Sequence, residues 1–532
     1  MTRPGSTKPA SNRSPFLVRG PWFRLLAGIA LPVLALVWVW AVRTGNRQMQ
    51  VLYTAGILIL AAVFWLFWIL FFSGFSSKTR ILSFAGLLGL GLLGFGLFEF
   101  RGLSGDLVPQ LGWRWKSPAS THPDGGGGQP PAKASAQELA STHRAFPQFL
   151  GPSRNGILTG IGLSRDWERR PPRPVWRIPM GEAWSGFAVV GRYAVTQEQY
   201  GALEKVTCYD LLTGGLLWAH EDAFRMEEIL SGIGPRATPS IAEDRVYALG
   251  AKGMLNCLEL STGQRLWSRN VCVDNGAPVP TYGVSASPLI LGDRVVVVAG
   301  GPIDHSLVAY DRHSGEPVWS GGSDPAGYSS PLLATIADTE QLLVFNNIHL
   351  TGHDPSDGKV LWQYLWPGGI DHISQPVPLP GDRIFLSSGY GIGCKLFHLE
   401  KTGSGNLSPK LLWETPRLKA KFTNVVHKDG YVYGLDDGVL VCLDLKDGER
   451  TWKQGRYGHG QVLLADDLLL VQAENGQVLL LEANPSAHVV LGSFEAVSGK
   501  SWNHPALAAP YLLIRNASEA VCYELPLAAP TL

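Results

Sequence analysis

Nine side chains in the chain stand just ahead of runs rich in β-branched and aliphatic residues: Trp184, Arg236, Tyr282, Tyr328, His372, Lys421, His459, Trp502 and His504. Aromatic planes beside cationic or titratable heads suit a planar anion, held by stacking and by charge-assisted hydrogen bonds. Asp371, Asn424, Asp436 and Asn503, in or near the same stretches, offer the oxygen ligands and carboxylates that a hard cation and a general base would need. No spacing among those four singles out a site. The alternative is a solvated rim whose residues pack the tops of the repeating units. Which of the two holds depends on whether the nine side chains converge, and so on the elements that carry them.

Other chemistry-bearing residues have a structural explanation. His349 and His353 have H-x-x-x-H spacing, but they fall on a predicted strand and hairpin without a Glu between them, so a zinc site is not expected there. Cys208, Cys257, Cys442 and Cys522 each lie two residues before a recurring acidic residue. One equivalent strand position in four separate units predicts small buried core residues, too far apart for disulfide geometry. The recurring acids themselves are expected to be turn and strand-end residues.

Those acids open a repeat in which Gly follows four residues later and Trp four after that. Five copies keep the spacing: Asp210, Gly214, Trp218; Glu259, Gly263, Trp267; Asp311, Gly315, Trp319; Asp354, Gly358, Trp362; and Asp444, Gly448, Trp452. Segments such as DLLTGG have the chemistry of a tight hairpin, and the flanking runs are strands. With a degenerate Trp413 included, the tryptophans fall about 39 to 52 residues apart, the period of four-stranded propeller blades. Inner strands predicted to start at Gly186, Ala237, Ala286, Ser329, Ser374, Thr423, Gly460 and Asn503 give eight units. The eighth ends in AVCYEL with no Gly or Trp after it, whereas PVWRI at 174–178 is a lone Trp-bearing strand before the first. The expected fold is an all-β, eight-bladed β-propeller whose last blade is closed by that N-terminal strand, leaving no open edge.

The acid–Gly–Trp repeats, preceded by ATP at 237–239, ASP at 286–288 and SSP at 329–331, resemble the quinoprotein-type (PQQ-like) propeller repeat. The resemblance runs from Phe146 to the C-terminus, and FPQFLGPSRNG at 146–156 resembles the lead-in of exported relatives. It implies a fold in which each Trp docks between neighbouring blades. Family members include dehydrogenases that use pyrroloquinoline quinone (PQQ) with Ca²⁺, and a cofactor-free lipoprotein of the outer-membrane barrel-assembly machinery. In the dehydrogenase case the nine residues above would surround a tricarboxylate cofactor. This sequence departs from that pattern: none of its six cysteines are adjacent, and it has no C-x-x-C-H for a c-type haem.

Ahead of the repeats lie three apolar runs, 25–42, 51–72 and 81–98, each near the length that crosses a bilayer. Arg3, Lys8, Arg13, Arg19 and Arg24 place residues 1–24 in the cytoplasm, so three crossings would carry the rest of the chain through a bacterial inner membrane to its periplasmic side. Residues 99–143 are expected to form a juxtamembrane segment and a flexible tether, Pro-, Gly- and Ser-rich over 117–142, ahead of the propeller at 144–532. With 45 Lys and Arg against 44 Asp and Glu there is no basic field for nucleic acid. The expected function is a membrane-anchored scaffold that binds a protein or cell-envelope component without a cofactor. The alternative is a membrane-tethered PQQ dehydrogenase acting on an alcohol or sugar.

Overall fold

In the computed structural model, which describes residues 21–42, 47–72, 76–115, 145–367, 371–403 and 405–528, each residue type of the repeat has a mechanical task. The acid ties its own hairpin: one carboxylate oxygen of Asp210 accepts from the backbone N–H groups of Leu212 and Thr213 at 2.9 Å, and Asp311 does the same for His313 and Ser314. The glycine follows in the left-handed region, φ +72° at Gly263, where L side chains are strained. It must also be bare, because a Cβ at Gly263 would come within 2.4 Å of the Trp218 ring of the preceding blade. Gly214, Gly315, Gly358 and Gly448 meet Trp176, Trp267, Trp319 and Trp413 in the same way. The indole N–H of Trp218 then donates to Leu260 O at 2.8 Å, and that of Trp267 to Arg312 O at 3.0 Å. The motif thus joins each blade to the next.

Eight antiparallel sheets follow in chain order, innermost strand first. Blade 1 is Ala188–Val190, Tyr193–Tyr200, Leu203–Asp210 and Leu216–Asp222; blades 2 to 6 begin at Ser240, Leu289, Leu332, Val377 and Val426. Blade 7 begins with Gln461–Ala465 and carries a fifth strand, Ile157–Leu158, parallel to it. Blade 8 comprises Ala506–Ala508, Tyr511–Arg515 and Glu519–Glu524, completed by Arg173–Pro179 with Trp176 opposite Cys522. The chain is the eight-bladed propeller expected, closed by its N-terminal strand. All six cysteines are free and buried.

The inner strands begin one to three residues later than the sequence predicts. The intervening small and polar residues are used instead for a belt of hydrogen bonds from blade to blade around the axis. Gly186 N donates to Thr238 Oγ1, Thr238 N to Ser287 Oγ, Ser287 N to Ser330 Oγ, and Gln375 N to Asn424 Oδ1, all within 3.1 Å. Hairpins between second and third strands, and connections between blades, share one end of the propeller; the acid–Gly–Trp hairpins share the other.

The chain divides into two compact units, 1–99 with 112–114 and 100–111 with 115–532. In the first, Arg47–Phe71 and Ser77–Leu97 are, among the described residues, the two helices long and apolar enough to cross a membrane. The first apolar run folds as Pro21–Val37 continued by a π-helical Trp38–Val42, and its apolar part is shorter. The tether at 117–142 lies outside the described residues. Within the segment expected to be juxtamembrane, Phe98–Leu103 and Pro109–Trp113 pair as a hairpin, and residues 100–111 group with the second unit.

Candidate functional site

The end of the propeller that carries the blade connections is a funnel. Its axis is closed deeper down by residues 146–158. Phe146 bridges Val189 of blade 1, Pro147 O accepts from Ile241 N of blade 2, and Gly156 O accepts from Leu464 N of blade 7. Between these, Arg154 is buried with its guanidinium on Ser287 O (3.0 Å), Pro288 O (2.9 Å), Pro331 O (3.2 Å) and Gln148 Oε1 (3.1 Å). Burial lowers its pKa to about 9. The funnel is therefore a blind cup.

Seven of the nine residues singled out from sequence do line or underlie this cup. Trp184 and Trp502 lie 4.9 Å apart, and Tyr282 and Tyr328 5.7 Å apart. Arg236 is folded back onto its own connection, with Ser231 Oγ at 2.6 Å, Gly234 O at 3.0 Å and Gly232 O at 3.2 Å; burial lowers its pKa to about 10 against the pull of Glu228. Lys421 and His459 are buried. Lys421 Nζ donates to Gly105 O at 3.1 Å and lies 5.3 Å from the centre of the Tyr390 ring, and His459 Nε2 is 3.2 Å from Asp106 Oδ1.

The other two are placed differently from the expectation. His372 is fully buried, stacked at 4.2 Å on Phe345 with Nδ1 3.3 Å from Ser388 Oγ, and serves the packing between blades 4 and 5. His504 sets its ring against Phe149 of the lead-in at 4.6 Å, edge to face, and burial lowers its pKa to about 3. Both are drawn into packing because an aromatic partner reaches each from a part of the chain that the repeat does not mark.

Burial likewise holds the His372 imidazole down to about 4, from 6.5 when free. As pH falls below 6.5 the unfolded chain takes up this proton while the folded chain does not. Stability is therefore expected to decline from about pH 6.5 to about pH 4, by roughly 3 kcal/mol from this group. Urea midpoints of the detergent-solubilised chain should show that component, and His372→Leu should lack it.

Several participants were not legible in the repeat. Lys500 Nζ lies over both indoles, 4.1 Å from the Trp502 ring centre and 5.0 Å from that of Trp184, and burial lowers its pKa to about 8. Glu474 Oε1 accepts from Trp502 Nε1 at 2.9 Å. Phe422 sits between His459 and Trp502, at 4.9 and 4.8 Å. Phe422 and Lys500 adjoin residues already singled out, which was a usable signal; Glu474 and Tyr390 sit in hairpins the motif does not touch. His349 Nδ1 is 2.9 Å from Asp324 Oδ1, and both ring nitrogens of His353 are engaged, by Gly358 O and Thr351 Oγ1.

The Arg236 donors are engaged by the Ser231–Gly234 connection and Lys421 by the carbonyl of Gly105. Among the described residues no three His, Cys, Asp or Glu side chains come together in a way that could hold a metal ion.

A family model described as outer membrane protein assembly factor BamB matches residues 179–283 and 202–454, together more than half of the chain. BamB from Moraxella catarrhalis is similar in structure at 16% identity and a TM-score of 0.49, covering 68% of this chain and 99% of its own. A europium-containing methanol dehydrogenase is similar at 12% identity and 0.45, covering 74% and 100%. The quinohemoprotein alcohol dehydrogenase ADHIIG from Pseudomonas putida HK5 is similar at 13% and 0.49, covering 75% and 83%. No curated relative matches the chain.

Proposed function

The chain belongs to the family of PQQ-type repeat propellers whose model is described as outer membrane protein assembly factor BamB, and from that membership we propose that it is a binding module of the cell envelope. In this reading the N-terminal helices anchor it in the cytoplasmic membrane, and the propeller works on the periplasmic side by engaging another protein. The observation that carries the reading is apolar exposure at the funnel end: Ile229 is 79%, Val273 75% and Ile303 80% exposed, on loops of blades 1 to 3. Exposed apolar side chains on successive loops at one end of the propeller are what a protein interface offers.

A photo-crosslinking residue at Ile303, in membranes of the producing cell, should give a discrete protein adduct. The adduct should fade in the Ile229→Asp, Val273→Asp double variant. The same probe at Leu212, on a hairpin at the opposite end, is the control. Equal labelling at both ends would defeat the reading. Saturable uptake of PQQ with Ca²⁺ near one per chain would replace it with the dehydrogenase.

A further inference from the structure

One quadrant of the funnel already holds a piece of polypeptide. Residues 103–108 form a self-closed turn: Leu107 N donates to Ser104 O at 2.8 Å, Ser104 N to Val108 O at 2.9 Å, and Ser104 Oγ accepts from the N–H groups of Asp106 and Val108. Four polar groups of the turn meet counterparts in blades 6 to 8. Gly105 N donates to Glu474 Oε1 at 2.6 Å and Gly105 O accepts from Lys421 Nζ at 3.1 Å. Leu103 O accepts from Lys500 Nζ at 3.0 Å. The Asp106 carboxylate lies 3.2 Å from His459 Nε2 and 3.7 Å from an Arg456 guanidinium nitrogen.

Resting on the reading above, that the funnel end takes up protein, we propose that this quadrant is a receptor for a short acidic turn of polypeptide. The chain's own residues 103–108 are its resident ligand.

Three features separate a receptor from ordinary loop packing. The recognition is of backbone polarity as well as charge: a carboxylate takes the turn's N–H, and two ammonium groups take its carbonyls. Covering those groups with the turn is costly unless each finds its counterpart there. The receptor is also held ready by the propeller itself, since Glu474 is fixed by Trp502 Nε1 at 2.9 Å and by His459 N at 3.1 Å. Finally, the fit is stringent at one position. A Cβ on Gly105 would come 2.1 Å from the His459 ring and 2.9 Å from the Phe422 ring, so the quadrant selects Gly followed by an acid.

The occupant lies outside the repeats, in a hairpin close behind the helix Ser77–Leu97 in sequence. Being tethered, it competes at an effective concentration that a free ligand must exceed, so the site opens to a partner only when the turn leaves.

The test uses the full chain in detergent micelles and a fluorescein-labelled decapeptide of residues 102–111. In one variant residues 103–108 are replaced by six Gly and Ser residues, which empties the quadrant and leaves every propeller residue in place. Fluorescence anisotropy should show the decapeptide binding this variant at least tenfold more tightly than the unaltered chain. Adding Lys421→Met should cost at least tenfold, as should Asn in place of the peptide's Asp. Equal binding to the emptied and unaltered chains, no binding to either, or equal competition by succinate would overturn the proposal. Hydrogen exchange at 103–111 supplies a second reading: slow in the unaltered chain and fast in Gly105→Ala, with no difference counting against a specific seat. If the Ile303 adduct persists while the decapeptide fails, the receptor falls and the envelope-binding reading stands.

Discussion

Deleting residues 173–179 should abolish the cooperative unfolding of the propeller and leave a chain that aggregates on purification. The strand Arg173–Pro179 completes blade 8 by backbone hydrogen bonding, with six of its residues paired with Glu519–Glu524. Without it blade 8 is a three-stranded sheet with an open edge, and the ring has a gap where blade 1 should be held. Trp176 concentrates the effect. Its indole fills the space over Gly214 of blade 1 and donates to Leu211 O at 2.8 Å, as the motif tryptophans do between consecutive blades. Trp176→Ala is therefore expected to cost about 3–5 kcal/mol, from the cavity and the lost hydrogen bond. Thermal unfolding followed by near-ultraviolet circular dichroism reads both variants. A deletion that melts at the same temperature as the unaltered chain would show that the ring closes by some other means.

Arg154→Met is expected to destabilise the propeller by about 2–5 kcal/mol. Buried ion pairs can often be exchanged for apolar residues without loss, but only when both partners are replaced. Here the partners are backbone carbonyls of blades 3 and 4, which no side-chain substitution removes; Pro288 O keeps the Ser240 hydroxyl, but Ser287 O and Pro331 O lose their guanidinium donor, at roughly 1–3 kcal/mol each. The guanidinium also offers several donors in a fixed plane, so Arg154→Lys should recover only part of the loss. Urea titration of the detergent-solubilised chain measures the difference. A methionine variant as stable as the original would mean that water reaches these carbonyls and that the axis is not sealed.

The repeat was legible because its logic is local. An acid that ties a hairpin, a glycine in the left-handed region and a tryptophan four residues on all act within nine residues, and their recurrence gives the strand order, the number of blades and the closing strand. The buried cysteines followed from the same argument, since one register position in every blade faces the same way. Even the funnel was partly visible, because the starts of inner strands must gather around the axis of any propeller.

What the repeat did not carry was the use made of each side chain after the ring closed. His372 and His504 stand at funnel positions by count, yet Phe345 and Phe149 draw them into packing. Glu474, Lys500 and Asp106 have no motif, and they meet only because blades 7 and 8 and a hairpin more than 300 residues upstream converge there. Sequence by itself determined the architecture of this protein, through short-range turn chemistry and periodicity. Only the tertiary structure decided which polar groups are spent on the fold and which clasp the turn at 103–108, because such contacts depend on distances across the ring that no local pattern records.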